Sequence, residues 1–249
     1  LYPPGDPNNL TGAVWTFASI ASTPIISGQP QNVLLDNSGE TAVFSVTVDS
    51  VSAVSYQWYR SADNANDTPG DDTEIGDDLD TLTINSAQLT DEGYYYCQVN
   101  NASNQPVNSN VATLAVKRQL AHWTLDQADF DDTNYLDTST EDPVAHDADP
   151  NGTPVFVSGI AGDAVTVDPV NSWADAGTWD PSGFSEQLTV SAWVKWDGVG
   201  AWTGGGNGIV TKADESGRRW MLMVRSGDAG HPGTGWVRFS SYAGDPWGD

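Results

Sequence analysis

The chain has 249 residues with 34 acidic and 9 basic side chains, which gives a formal net charge of −25. Such a negative surface repels nucleic acid and anionic lipid, which excludes both as partners. It attracts hard cations such as Ca²⁺. No stretch approaches 18 apolar residues, so we expect no insertion of this segment into a membrane.

Helical periodicity is nearly absent. Short stretches rich in Val, Thr, Tyr and Trp alternate with clusters of Gly, Pro, Asn and Asp, which predicts an all-β protein of the sandwich or barrel type. The length favours two domains. Residues 1–22 form an N-terminal segment or the end of a preceding domain and contain one predicted strand, Gly12–Ile20. A Pro- and Gly-punctuated linker, Pro24–Pro30, follows.

Between Gln31 and Val116 the predicted strands follow one another at short intervals. Thr41–Val48 alternates apolar and polar residues with period two. Ser55–Arg60 places Trp58 on one face and Gln57 with Tyr59 on the other. Further strands are predicted at Thr81–Asn85, within Asp91–Asn100 and at Val111–Val116.

The run Asp91–Cys97 resembles the Asp-x-Gly-x-Tyr-x-Cys signature of immunoglobulin domains, and the resemblance covers residues 23–117. It is nearest to the disulfide-free repeats of large bacterial surface proteins. It implies a sandwich core in which Cys97 is a small buried apolar residue and its usual cysteine partner is replaced by Val46. The implied core residues are Val46, Trp58, Tyr95 (the corner tyrosine) and Cys97.

Residues 118–249 resemble a laminin-G-like jelly roll, the concanavalin-type lectin fold. The similar segments, in chain order, are Ala121–Asp126, Val155–Gly162, Leu188–Trp196, Gly208–Lys212, Arg219–Arg225 and Trp236–Tyr242. Leu188–Trp196 corresponds to the central strand of that family.

About six strands are predicted in this second domain, roughly half of what a closed jelly roll needs, so we expect the domain to be truncated at Asp249. Either the chain continues beyond Asp249, or another chain completes the sheet. In the second case Gly12–Ile20 could be donated to a neighbouring subunit, which would build rings or filaments. The first alternative is favoured, because these modules usually occur in long surface proteins.

Cys97 is the single cysteine, which excludes an intrachain disulfide and favours a bacterial secreted protein over a eukaryotic one. Four N-glycosylation sequons, at Asn9, Asn66, Asn101 and Asn151, are no more than chance provides in an Asn- and Thr-rich chain.

Two acidic clusters predict calcium as the cofactor, because closely spaced carboxylates can supply several of the oxygens that Ca²⁺ requires. Neither cluster has EF-hand spacing, and a solvated acidic loop is the simpler alternative. The candidate ligands are Asp71, Asp72, Asp77 and Asp78 in the first domain and Asp129, Asp131, Asp132 and Asp137 in the second.

Tryptophans in Gly- and Asp-rich loops could stack on a sugar ring, although packing at the ends of the sandwich is the more common role. The candidate ligand-binding residues are Trp173, Trp179 and Trp202.

No catalytic constellation is visible, so the chain is expected not to be an enzyme. The three histidines lie far apart, zinc-ligand spacing is absent, and no Glu-x-Asp-x-x-Glu run of jelly-roll glucanases occurs.

The two resemblances together imply a non-catalytic protein that is secreted or attached to the cell surface, with a structural or adhesive role such as a subunit of a surface layer, sheath or filament. Its partners would be glycans, copies of itself or other cell-surface proteins. The alternative is a carbohydrate-binding module of a secreted polysaccharide-degrading enzyme.

Overall fold

The computed structural model describes residues 22–67, 72–103, 105–166, 173–179, 181, 183–195, 207–214, 217–226 and 235–241. The chain divides into two compact units. The first contains Leu1–Arg118 with Ser182–Glu186, and the second contains Gln119–Pro181 with Gln187–Asp249.

The first unit is built from ten short strands, and its sequence explains their shortness, since Gly, Asn and Asp interrupt every apolar run. The strands are β1 (Ile25–Gly28), β2 (Val33–Leu35), β3 (Ala42–Ser45), β4 (Thr47–Asp49), β5 (Val54–Ser61), β6 (Thr73–Ile75), β7 (Thr81–Ile84), β8 (Gly93–Asn101), β9 (Val107–Asn108) and β10 (Ala112–Val116).

These strands form the two layers of a β-sandwich. One layer contains the antiparallel pairs β1–β4 and β3–β7, where β3 and β4 are separated only by Val46. The other layer has the order β2-β10-β8-β5-β6, with β9 added to β8. The β2–β10 pair is parallel, whereas the remaining pairs are antiparallel. The predicted all-β fold is confirmed.

The core between the layers is centred on Trp58, which is fully buried. Its indole N–H donates to the carbonyl oxygen of Leu79 at 3.0 Å, so the polar atom of this large side chain is satisfied inside the core. Across the sheet, Trp58 lies opposite Cys97 in register. Phe44 packs on the Trp58 ring at 6.3 Å between centroids and on the Tyr95 ring at 5.0 Å.

All four residues predicted for this core are buried. Val46 and Cys97 belong to the same apolar cluster as Trp58 and Tyr95. The Tyr95 hydroxyl donates to the backbone carbonyl of Asp91 at 2.5 Å, which ties the start of β8 to the preceding turn. Cys97 is a free thiol, and burial raises its pKa to about 12, so it is protonated at neutral pH.

The second unit contains seven strands in the residues that the structure describes, and they belong to three separate small sheets. Two-residue strands β11 and β14 pair with each other, β12 and β13 form a hairpin, and β15–β17 form an antiparallel meander. Their bounds are β11 (Asp149–Pro150), β12 (Val155–Ser158), β13 (Asp163–Thr166), β14 (Ala174–Asp175), β15 (Asn207–Asp214), β16 (Gly217–Ser226) and β17 (Gly235–Ser241).

The strands predicted near the end of the chain are confirmed as β15, β16 and β17, although Tyr242 lies outside the described residues. The strand predicted at Leu188–Trp196 is wrong for residues 188–195, which are irregular and mostly exposed; the Trp193 side chain is 89% exposed. Ala121–Asp126 is also irregular. Alternation favours an extended backbone, but a strand also needs a ladder of backbone hydrogen bonds. Among the described residues neither segment belongs to such a ladder, although the His122 carbonyl accepts the N–H of Thr138.

The predicted strand Gly12–Ile20 lies outside the described residues. The described helical segments are three 3₁₀ turns, Leu89–Asp91, Gln127–Asp129 and Gly183–Ser185, and none of them could cross a bilayer.

Replacing Trp58 with alanine should lower the free energy of unfolding of the first unit by about 3–5 kcal/mol, because the rigid core cannot collapse into the cavity. Urea unfolding followed by circular dichroism measures the change. Val43→Ala is the matched control on β3, since Val43 is 50% exposed and its truncation should cost no more than about 0.5 kcal/mol. Equal effects of the two substitutions would contradict the assignment of Trp58 as the centre of the core.

Candidate functional site

The acidic loop of the first unit uses its carboxylates as hydrogen-bond acceptors. Asp72 accepts the backbone N–H of Ala62 at 3.0 Å and the hydroxyl of Tyr96 at 2.7 Å. Asp78 accepts the backbone N–H of Tyr56 at 2.5 Å. Asp77 lies in the same loop, and Asp71 lies outside the described residues. Two of the predicted calcium ligands are therefore engaged by protein donors in this structure.

In the second unit, Asp137 is the centre of a hydrogen-bond network. Its carboxylate accepts the backbone N–H groups of His122 at 2.8 Å, Ser139 at 2.9 Å and His146 at 3.0 Å. Partial burial opposes ionisation, but these three donors and the nearby His146 ring outweigh it and hold the pKa of Asp137 below its ordinary value. Asp137 thereby joins two irregular segments and the turn that follows it.

The other three candidates in this cluster lie near Asp137 in sequence but have different partners. Asp129 accepts the hydroxyl of Thr124 at 2.6 Å. Asp131 accepts the backbone N–H groups of Asn134 and Thr133 at 2.7 and 2.9 Å, which lowers its pKa. Asp132 is exposed and occupies the left-handed region with φ of 72°.

No group of three or more His, Cys, Asp or Glu side chains in the described part of the chain is arranged to hold a metal ion. The sequence pattern that predicted calcium, closely spaced aspartates in Gly- and Asn-containing loops, is also the pattern of turns in which a carboxylate accepts nearby backbone N–H groups. Calcium as a cofactor stays a prediction.

The three candidate ligand-binding tryptophans have different environments. Trp173 is 57% exposed. Trp179 is half-buried, and its ring stacks on the imidazole of His146 at 3.8 Å between centroids, so one face is already covered. Trp202 lies outside the described residues. Of the described pair, Trp173 is therefore the more accessible for stacking with a sugar.

In the first unit, half of the outer face of the β5–β8 sheet is buried. Tyr59 and Tyr96 point away from the Trp58 core, yet they are 4% and 0% exposed. Their rings stack at 5.2 Å, and the Asp72 carboxylate caps the Tyr96 hydroxyl. Burial, together with that carboxylate, raises the pKa of Tyr96. The folded domain thus buries an aromatic pair that the alternation of β5 would leave at the surface.

The other half of the same face is partly exposed, and its own side chains are uncharged. Gln57 lies opposite Gln98 across β5 and β8, Ser55 lies opposite Asn100, and Gln98 lies opposite Asn108 on β9. The amide of Gln98 donates to the side-chain oxygen of Asn108 at 3.1 Å. We call this surface the amide strip and define it by Ser55, Gln57, Gln98, Asn100 and Asn108.

The amide strip borders an open depression of about 320 Å³ that also contacts Tyr56 and Asp78. The alternation of Ser55–Arg60 predicts that Gln57 lies on the outward face, but it indicates no function for this residue. The signal that could have identified the strip is the period-two position of Gln57 and Gln98 beside the buried pair Trp58 and Cys97.

Residues 23–101 match the family model described as Immunoglobulin domain. These residues are therefore an immunoglobulin-like domain, in agreement with the resemblance found in the sequence. Domains of this class typically act as structural or adhesion modules and not as catalysts.

Solved structures similar to this part of the chain include a chimeric titin Z1Z2 carrying a KLER peptide from decorin, with 24% identity over 40% of this chain and 98% of that chain and a TM-score of 0.30. Titin domain M7 has 24% identity over 40% of this chain and 99% of that chain, with a TM-score of 0.31. The four N-terminal immunoglobulin domains of Dscam1 isoform 4.44 have 19% identity over 41% of this chain and 27% of that chain, with a TM-score of 0.32. No curated protein sequence matches the chain.

Replacing Asp137 with alanine removes the common acceptor of three backbone N–H groups and should lower the free energy of unfolding by about 1–3 kcal/mol. The amides of His122, Ser139 and His146 should exchange faster with deuterium, because they lose their partner. Asp149→Ala is the control, since Asp149 is an exposed carboxylate on β11 opposite Asp175. Unchanged protection of all three amides in the Asp137 variant would contradict this role.

The calcium prediction is tested by thermal unfolding of the full chain at one ionic strength with excess Ca²⁺, with Mg²⁺ and with a chelator. A specific site predicts a higher melting temperature in Ca²⁺ than in Mg²⁺, because a ligand that binds only the folded state stabilises it. Equal melting temperatures in Ca²⁺ and chelator would rule the site out, and equal rises in both ions would show charge screening alone.

Proposed function

We propose that this chain is part of an extracellular, non-catalytic structural or adhesion protein that assembles with copies of itself into a surface layer, sheath or filament. The immunoglobulin-like domain supports the structural or adhesive role, and domains of this class are frequent on cell surfaces. The second unit is proposed to be a laminin-G-like module, to which the β12–β13 hairpin and the β15–β17 meander would belong.

The observation that carries the proposal is the absence of charge on the amide strip of a chain with a net charge of −25. Two copies of such a chain repel each other wherever acidic surfaces meet. Ser55, Gln57, Gln98, Asn100 and Asn108 carry groups that both donate and accept hydrogen bonds. Some of these groups are used within the domain, as when Gln57 donates to the carbonyls of Trp58 and Ile75, so a contact between two copies would use the remaining ones. The same strip on two copies would pair them as a dimer without like-charge contact, and such dimers would be the units of the proposed assembly.

The covered half of the sheet supports the same conclusion. Tyr59 and Tyr96 would form an apolar aromatic patch if exposed, but both are buried, and the Tyr96 hydroxyl donates to Asp72. Contact through this face is thereby confined to polar groups, which gives a weak, reversible association instead of hydrophobic aggregation.

A carbohydrate-binding module is the second candidate function, and the exposed Trp173 ring supports it, because an accessible indole is a surface on which a sugar ring can stack. In that case the partner would be a polysaccharide, and binding would depend on Trp173 and not on the amide strip.

Sedimentation velocity of the full chain at high concentration tests the proposed self-association. Added salt should strengthen it, because screening removes the repulsion between acidic surfaces. Gln98→Glu should weaken the self-association at low salt, since the substitution places a carboxylate on one copy opposite the same carboxylate on the other copy. Thr83→Glu adds the same charge on the exposed side of β7 in the other layer and is the matched control.

A chain that is monomeric at every salt concentration, or one that the two substitutions weaken equally, would contradict assembly through the amide strip. Retention on an insoluble polysaccharide that is lost in Trp173→Ala would favour the second candidate.

A further inference from the structure

Two of the N-glycosylation sequons have acceptor amides that the folded domain already uses. Asn101 is 9% exposed, and its amide nitrogen donates to the Ser22 carbonyl at 2.7 Å and to the Ser50 hydroxyl oxygen at 3.1 Å. Asn66 is half-buried, and its amide nitrogen donates to the Ser109 carbonyl. A glycan on either nitrogen would remove these hydrogen bonds and require space that the fold does not leave.

Asn151 has a different environment. Asn151, Gly152 and Thr153 are all exposed and lie between β11 and β12. Gly152 has φ of 96°, a left-handed conformation that produces a sharp turn at the surface. The amide nitrogen of Asn151 and the hydroxyl of Thr153, which are the groups a sequon must present, are therefore accessible in the folded chain.

The exposed Trp173 lies directly across from Asn151. The β11–β14 register pairs Asp149 with Asp175 and Pro150 with Ala174, and continuing this register by one step beyond both strands places Asn151 opposite Trp173. The backbone N–H of Asn151 donates to the Trp173 carbonyl at 2.7 Å. Side chains directly opposite in an antiparallel pair share a face, with their Cβ atoms about 4.5–5.5 Å apart.

We propose that Asn151 is an acceptor of an N-linked glycan and that the Trp173 indole is the surface on which the first sugars of this glycan pack. A glycan leaving Asn151 begins beside the indole, whose apolar face suits the C–H face of a pyranose. The glycan would cover a tryptophan that is 57% exposed in the bare chain.

The covalent step is a transfer of an oligosaccharide from a lipid diphosphate carrier. The Asn151 amide nitrogen forms a bond to the anomeric carbon, the bond from that carbon to the diphosphate oxygen breaks, and one amide proton is released as the lipid diphosphate leaves. The inference rests on the extracellular location proposed above, because such transfer occurs on chains that enter a secretory pathway.

Secretion of the full chain from a eukaryotic cell line, with a cleavable leader supplied, tests the site independently of the native location. Glycopeptide mapping should find a glycan on Asn151 and none on Asn101, the internal control. Asn151→Gln and Thr153→Ala should each abolish the modification at this site, and Thr153→Ala keeps the asparagine itself unchanged. An unmodified Asn151 peptide from secreted, folded protein would overturn the proposal.

Oxidation of Trp173 by hydroxyl radicals tests the packing. In the glycosylated protein Trp173 should be protected, and enzymatic removal of the glycan should raise its oxidation several-fold, while Trp193, which is 89% exposed, should not change. Equal oxidation of Trp173 before and after glycan removal would refute the packing of the sugars on this ring. Failure of self-association through the amide strip would leave both results unaffected.

Discussion

Backbone N–H groups that no neighbouring strand satisfies must find other acceptors, and in the described part of this chain carboxylates supply several of them. Asp137 accepts three such groups and joins segments that no strand connects. Asp78 accepts the N–H of Tyr56, and Glu92 accepts the N–H of Val116. An N–H that is removed from water and left unpaired costs free energy comparable to a lost hydrogen bond, so these acceptors stabilise the irregular segments, which have few strand partners.

The same use of carboxylates constrains individual glycines. Asp126 accepts the backbone N–H of Asp163, and a Cβ at Gly162 would collide with that carboxylate. Gly162 also has φ of 74°, which disfavours any other residue. The acid excess is therefore partly structural. It also leaves a strongly negative surface, against which the uncharged amide strip is distinct and on which the proposed assembly depends.

The core of the first unit could be predicted from the sequence because its information is local. Trp58 and Cys97 each lie in an alternating apolar run, and the run Asp91–Cys97 fixes how these strands align. The burial of Tyr59 and Tyr96 could not be predicted from the alternation of their strands, and the hydrogen bond between Tyr96 and Asp72 joins residues that are 24 positions apart.

In the second unit, the sequence alone predicts some strands correctly and others not. Residues 207–214, 217–226 and 235–241 pair with one another in sequence order, and the resemblance to the laminin-G-like family predicted strands within these ranges. Residues 188–195 alternate equally well, yet they are irregular and pair with no strand among the residues that the structure describes. For the acidic clusters, sequence shows the carboxylates but not the N–H groups that they accept, and calcium as their ligand stays a prediction.

The central claim, that these carboxylates are ionised acceptors of backbone N–H groups, is tested by an NMR-monitored acid titration of the full chain. A pKa lowered by folding stabilises the folded state above the unfolded value of about 3.9, and this stabilisation is lost as the pH falls through the lower, folded-state pKa. If the ionised Asp137 carboxylate accepts these N–H groups, it titrates below the ordinary aspartate value. The amide protons of His122, Ser139 and His146 then shift with the same midpoint. An Asp137 carboxyl that titrates at or above the ordinary value, with amide protons that do not follow it, would contradict the role of this carboxylate as an ionised acceptor.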